Sequence, residues 1–169
     1  MNTQTIIRLV ITFVIYLILQ IFVIRNFVLF DVAFCFVYVG CILLLPYEIG
    51  TTITLLLSFF IGLTVDIFYN TAGVHAAATV TMGYFRGSVV KFLFPTKGIE
   101  NEIVISLKDM GAERFIRYIA ILTLLHHTIL FFIEAANPQL FIITILKIVC
   151  SVVFTTFMIF LLQYLRREN

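Results

Sequence analysis

The stretch FIGLTVDIFYNTAGVHAAATVTMGYFRG, Phe60–Gly87, decides the fold. It reads as the end of one membrane helix, a tight turn, and a second helix built largely from small residues. Asp66 and His75 stand on opposite sides of that turn, in a chain that is otherwise mostly apolar. Two antiparallel helices joined through Tyr69–Ala72 bring the two side chains to similar depth. A proton shared between imidazole and carboxylate would lower the cost of burying either. This predicts a clasp between Asp66 and His75 that fixes the hairpin. The other readings of the pair are recognition of a partner's helix or periplasmic segment, and proton or ligand handling.

The second helix of the hairpin carries a seam at spacing four, Thr71, His75, Thr79, Gly83 and Gly87, widened by Ala72 and Ala76 to Ala78. Gly73 begins this helix. Small residues let helix backbones approach closely in lipid, and Gly83 and Gly87 form a GxxxG pair. The seam serves either packing inside the bundle or a partner interface.

Composition agrees with a membrane setting. Hydrophobic residues make up 62% and charged residues 12% of the 169 positions, against about 25% charged in an average soluble domain. So much apolar surface cannot be hidden inside a globule of this size. The net charge of +2 implies no nucleic-acid partner. Cys35, Cys41 and Cys150 lie in apolar runs without CxxC spacing, which suits small packing residues rather than disulfides or metal ligands.

Six candidate spans follow from the apolar runs, at about 6–24, 31–45, 51–68, 73–94, 112–134 and 138–164. The first is too long for a signal-peptide core and lacks a cleavage site, so it is expected to remain as a span. Pro46 closes the second, and Pro138 suits the first turn of the sixth. With the N-terminus inside, nine of the counted Lys and Arg residues fall at cytoplasmic ends and only Arg25 falls outside. Both termini are therefore expected in the cytoplasm. The loop 95–111 is expected to be a water-facing connector, with an extended piece at Ile103, Ile105 and Leu107.

Polar residues also occur deep in the last two spans. The fifth carries His126 and His127, with His127 on the face of Leu130 and Glu134. Lys147 in the sixth reaches a comparable depth and is expected to pair with Glu134 or Asp66, or to snorkel. Adjacent histidines point about 100° apart on a helix. With no third ligand at helical spacing, zinc is disfavoured. No GxSxG, Walker loop or paired intramembrane aspartates occur, so neither catalysis nor a cofactor is expected.

Pro46 followed by FFIGLTVDIFYNTAGVHAAATVTMGYFR at 59–86 resembles MreD, the rod shape-determining membrane protein family. Gly62, Leu63, Asp66, Gly73, His75 and Ala76 carry the pattern. His126–His127 followed by FFIEA is similar to the form found in Bacteroidetes. The resemblance implies an all-α, six-transmembrane-helix bundle resembling the S-components of vitamin transporters, in the bacterial cytoplasmic membrane. It implies a non-catalytic scaffold of the cell-elongation complex that binds the bitopic protein MreC. Through MreC it would join MreB, RodA and a class B penicillin-binding protein in peptidoglycan synthesis. The rival reading is a small-molecule-binding transport subunit. S-components dock through alanines in the first helix, whereas Ile6–Ile24 has neither alanine nor glycine.

Overall fold

The computed structural model describes residues 3–94 and 105–167. Helix α1 spans Thr3–Ile18 and continues as a π-helical turn, Leu19–Val23, and a 3-10 turn, Ile24–Asn26. A small hairpin follows, β1 Val28–Leu29 paired antiparallel with β2 Ala33–Phe34. Then come a 3-10 turn at Val37–Val39 and the one-turn helix α2, Gly40–Leu43. The long helices α3, Thr51–Tyr69, and α4, Val74–Leu93, form a tightly packed hairpin. After the short α5, Leu107–Met110, the chain ends in α6, Ala112–Ala135, and α7, Phe141–Arg167.

The protein is all-α apart from that hairpin. Four helical stretches are long and apolar enough to cross a membrane: Leu9–Asn26, Thr51–Tyr69, Ala112–Ala135 and Phe141–Arg166. Rows of isoleucine, valine, leucine and phenylalanine on α1 and α7 remain exposed, which is consistent with contact to lipid. Helix α4 is 20 residues long but is not among the four. It is diluted by small and hydroxyl residues and packs between α3 and α6, so it needs less apolar surface of its own.

The expected second span is not a helix. Residues 31–45 form part of the hairpin, an extended stretch and two short turns, with Val37, Tyr38, Val39, Cys41, Ile42 and Leu43 wholly buried. Non-helical backbone at membrane depth is tolerated only where protein surrounds it. Here the protein encloses residues 35–43. The hairpin tip is strained as well, because Phe30 and Asp31 both adopt left-handed φ values of 55° and 58°. Such a conformation is costly for a bulky aromatic, and Phe30 is 92% exposed.

The connector after α4 also differs from expectation. Residues 95–104, including Ile103, lie outside the described residues. Leu107 is helical rather than extended, and Ile105, Leu107 and Met110 are buried against the bundle. Only its polar side, with Lys108 and Asp109, faces outward.

Candidate functional site

The site is the buried core where the irregular segment 31–45 meets the helices. Every backbone group buried in such a place needs a partner, and side chains from distant helices supply them. Phe34 N donates to Ser151 Oγ at 2.9 Å, and Phe36 N donates to Thr155 Oγ1 at 3.1 Å. Gln20 Nε2 donates to Cys35 O at 3.2 Å, and Gln20 Oε1 accepts from Tyr38 N at 3.3 Å. Further along, Tyr118 Oη donates to Leu43 O at 2.9 Å, and Arg86 Nη2 donates to Leu45 O. Arg86 Nε in turn donates to Tyr118 Oη at 3.1 Å.

The π-helical turn of α1 holds Gln20 in this role. Thr12, Tyr16, Gln20 and Ile24 recur at spacing four and are the buried positions of the described α1 side chains. Gln163 Nε2 donates to Tyr16 Oη, and Arg166 Nη1 donates to Thr12 Oγ1, both at 3.1 Å. A polar seam thus docks an otherwise apolar helix. Gln20 Nε2 also donates to Tyr69 Oη at 2.6 Å, beneath the Arg25 guanidinium.

Tyr38 is the centre of a second network. Its hydroxyl lies 3.0 Å from His75 Nδ1, 2.7 Å from His126 Nε2 and 3.2 Å from Thr79 Oγ1. His126 Nδ1 lies 3.1 Å from His127 Nδ1, and His127 Nε2 lies 3.1 Å from Thr155 Oγ1. The side chain of Phe36 packs edge-on against His75 and His127, at 5.3 Å from each ring. One assignment of protons runs a single chain through Tyr38 and the three histidines with uncharged rings, leaving out Thr79, whose hydroxyl donates to His75 O at 2.6 Å. His75 Nδ1–H donates to Tyr38, Tyr38 donates to His126 Nε2, and His126 Nδ1–H donates to His127 Nδ1. His127 Nε2–H then donates to Thr155, whose own proton points to Phe34 O at 3.5 Å. Reversing the chain would take that proton away from Phe34 O.

The Asp66 clasp exists, but its partner is the backbone. Asp66 Oδ1 accepts from His75 N at 3.0 Å and from Thr71 Oγ1 at 2.5 Å, and Oδ2 accepts from Ala76 N at 2.9 Å. Gly73, at φ +82°, is the N-cap of α4 and has no side chain with which to cap it. The N–H groups of the second and third helical residues are those a cap normally satisfies. Asp66 does this from the preceding helix, and the His75 ring is thereby free to turn toward Tyr38. The expected ring-to-carboxylate bond is therefore replaced.

Gly62 makes the reach possible. It lies one turn before Asp66 on the same face of α3, and a Cβ there would stand 2.5 Å from Ala76 Cα and 2.8 Å from His75 O. Gly83 is likewise packed inside the bundle, against Ser58 of α3. Gly87 is not, since a Cβ added there meets nothing within 4 Å. The seam is internal packing over its first four members and opens into a cleft at its last.

Three other expected site residues are placed differently. Lys147 forms no ion pair with Glu134 or Asp66 among the described residues; its ammonium lies over the Phe34 ring, 5.3 Å from the centroid. Glu134 is exposed and shares a small outer cleft with Lys147. His127 is wholly buried and turns its Nδ1 to that of His126, although adjacent helical side chains diverge on average. No group of three His, Cys, Asp or Glu side chains is arranged to hold a metal among the described residues. Sequence reasoning missed Gln20, Tyr38, Tyr118, Ser151 and Thr155. The visible signals were the four-residue spacing of Thr12, Tyr16 and Gln20, and of Ser151 and Thr155.

These features define an all-α chain, with four helical stretches long and apolar enough to cross a membrane, wrapped around a buried, side-chain-tethered loop. Comparison with protein-family models, with curated proteins and with solved structures finds no match to this chain.

Proposed function

We propose that this protein is a non-catalytic membrane scaffold of the MreD kind, with its helices crossing the bacterial cytoplasmic membrane and both termini in the cytoplasm. It would bind MreC and so position MreB, RodA and a class B penicillin-binding protein for peptidoglycan synthesis. One observation carries the non-catalytic part of this reading. Both ring nitrogens of His126 and of His127 are hydrogen-bonded within the protein, and Asp66 is consumed in capping α4. Groups that would serve a transport path or a reaction are spent on holding the core. What the core holds out is a rigid surface, including the strained, exposed Phe30 at the hairpin tip. The choice of partner rests on the resemblance of residues 59–86.

Co-expression with the MreC protein of its own genome, followed by purification in mild detergent, tests the proposal. A stable complex is expected, weakened by Phe30→Ser without a change in melting temperature. A monomer that carries a bound small molecule and ignores MreC would instead favour the transport-subunit reading. Cysteine labelling at Tyr69 and Lys97 checks orientation, with Tyr69 expected outside and Lys97 inside.

A further inference from the structure

Arg86 presents a problem that the core network does not solve. It is 3% exposed, and its two hydrogen-bond partners, Leu45 O and Tyr118 Oη, are both neutral. No carboxylate pairs with it among the described residues. A buried charge without a counter-charge is strongly unfavourable, and in membrane proteins such a group marks a functional site by default. Its remaining nitrogen, Nη1, bonds to no described residue and is not among the sealed, unsatisfied polar atoms. Arg86 is among the residues that line a cleft of about 230 Å³.

The rest of that cleft has the same electrostatic sense. Lys91 lies on its wall one turn beyond Gly87. Opposite them is the N-terminus of α3, where Gly50 caps the helix without a side chain and Thr54 N makes the first intrahelical bond to Gly50 O. The preceding N–H groups are unpaired by the helix and carry its positive end. Thr51, Tyr47 and Tyr84 add polar groups to the lining, and Glu48 is the one acid on the rim among the described residues. The bare Gly87 keeps the floor open. Tyr84 lines the cleft and, with Phe85, is exposed on the outer surface of α4, so the mouth lies beside an apolar wall.

We propose that this cleft, between the start of α3 and the last turns of α4, binds the phosphate of a phospholipid headgroup. Arg86 supplies the buried charge, Lys91 supplies a second at the mouth, and the α3 amides supply directed donors. The acyl chains leave along Tyr84 and Phe85. Glu48 suits the ammonium of an ethanolamine headgroup, and makes a doubly anionic ligand the poorer fit. This site is independent of MreC binding and stands or falls separately from it.

Delipidated full-length protein in neutral detergent, titrated with phosphatidylethanolamine, phosphatidylglycerol or inorganic phosphate and read by native mass spectrometry and thermal melting, tests the assignment. One tightly held phospholipid is expected, with a raised melting temperature. Lys91→Gln should weaken retention about fivefold. Gly87→Leu should crowd the cleft and abolish the lipid-induced shift without lowering the lipid-free melting temperature, because an added Cβ meets nothing within 4 Å and leucine is the better helix former. Stabilisation by inorganic phosphate alone, lost in the same variants, would keep the anion site but overturn the lipid as its source. Wild-type lipid retention in both variants, or no response to any of the three probes, would overturn the site.

Discussion

Asp66→Asn isolates the energetics of the inter-helix cap. The amide has one acceptor oxygen where the carboxylate has two. The best orientation keeps that oxygen at the Oδ1 position, where Thr71 and His75 N both donate. The NH₂ group then faces Ala76 N–H, which the carboxylate had accepted at 2.9 Å. Stranding a buried donor costs about 1–3 kcal/mol. Loss of the negative charge from the helix N-terminus adds about 0.3–1 kcal/mol. The sum, about 1.3–4 kcal/mol, corresponds to a fall of about 3–16 °C in melting temperature for a chain of this length. A thiol-reactive fluorogenic dye suits the assay, since Cys35 and Cys41 are buried and become reachable on unfolding. Thr71→Val is the control, because it removes one of three donors and leaves His75 N bonded to the same oxygen; its cost should be about 1 kcal/mol. If Asp66→Asn melts with the wild type, or if Thr71→Val costs as much, the capping argument is wrong.

Three further substitutions probe the same core. Gly62→Ala pushes a methyl into the backbone of α4, where nothing can swing aside, and should cost at least about 1–3 kcal/mol in the same melt. Gln20→Leu keeps side-chain volume but strands Cys35 O, Tyr38 N and Tyr69 Oη; it should destabilise by more than any single-bond variant, with hydrogen exchange at Tyr38 N accelerated first. Thr155→Val should strand Phe36 N and His127 Nε2 at a cost of about 2–3 kcal/mol, whereas Thr155→Ser should restore most of it.

The α3–α4 hairpin was legible because its cues are local. Gly62, Asp66, Gly73 and His75 fall within one turn-spanning motif, so the sequence shows that an acid near a helix start needs a donor. It does not show which donor, because backbone N–H groups appear in no side-chain pattern. Residues 31–45 were misread for a different reason. A buried apolar run is equally compatible with a helix and with an enclosed extended segment, and periodicity alone cannot separate them. Fifteen residues are short for a span, and the alternation of Phe34, Phe36 and Tyr38 was the overlooked sign of extended backbone. The deciding residues are far away: Ser151 and Thr155 contact Phe34 and Phe36 across separations of 117 and 119 residues. Arg86 was read only as a charge at a helix end and its burial was missed, since its partners, Leu45 and Tyr118, are supplied by other elements.

The two networks explain each other once the backbone is treated as the group that needs binding. A helix satisfies its own amides, so an intramembrane serine, threonine or glutamine on a helix is free to serve something else. The segment 31–45 satisfies only part of its own, and Gln20, Ser151, Thr155, Tyr118 and Arg86 act as fixed ligands for the rest. With Tyr38 N held by Gln20, the Tyr38 ring is aimed at His75 and His126 and its hydroxyl needs no other partner. The proton chain from His75 to Thr155 then ends on Phe34 O, so both networks terminate on the same loop. In the direction that ends on Phe34 O, the chain calls for Nδ1–H at His75 and His126, and Nε2–H at His127. Imidazole ¹⁵N shifts of the detergent-solubilised protein report them directly. Tyr38→Phe breaks the chain at its centre and removes the one donor to His126 Nε2 among the described residues, so the His126 and His127 signals should broaden into tautomer mixtures while the His75–Asp66 hairpin stays folded. Three unchanged, sharp tautomer signals in that variant would show that the histidines are fixed by packing around Phe36 rather than by the hydrogen-bond chain.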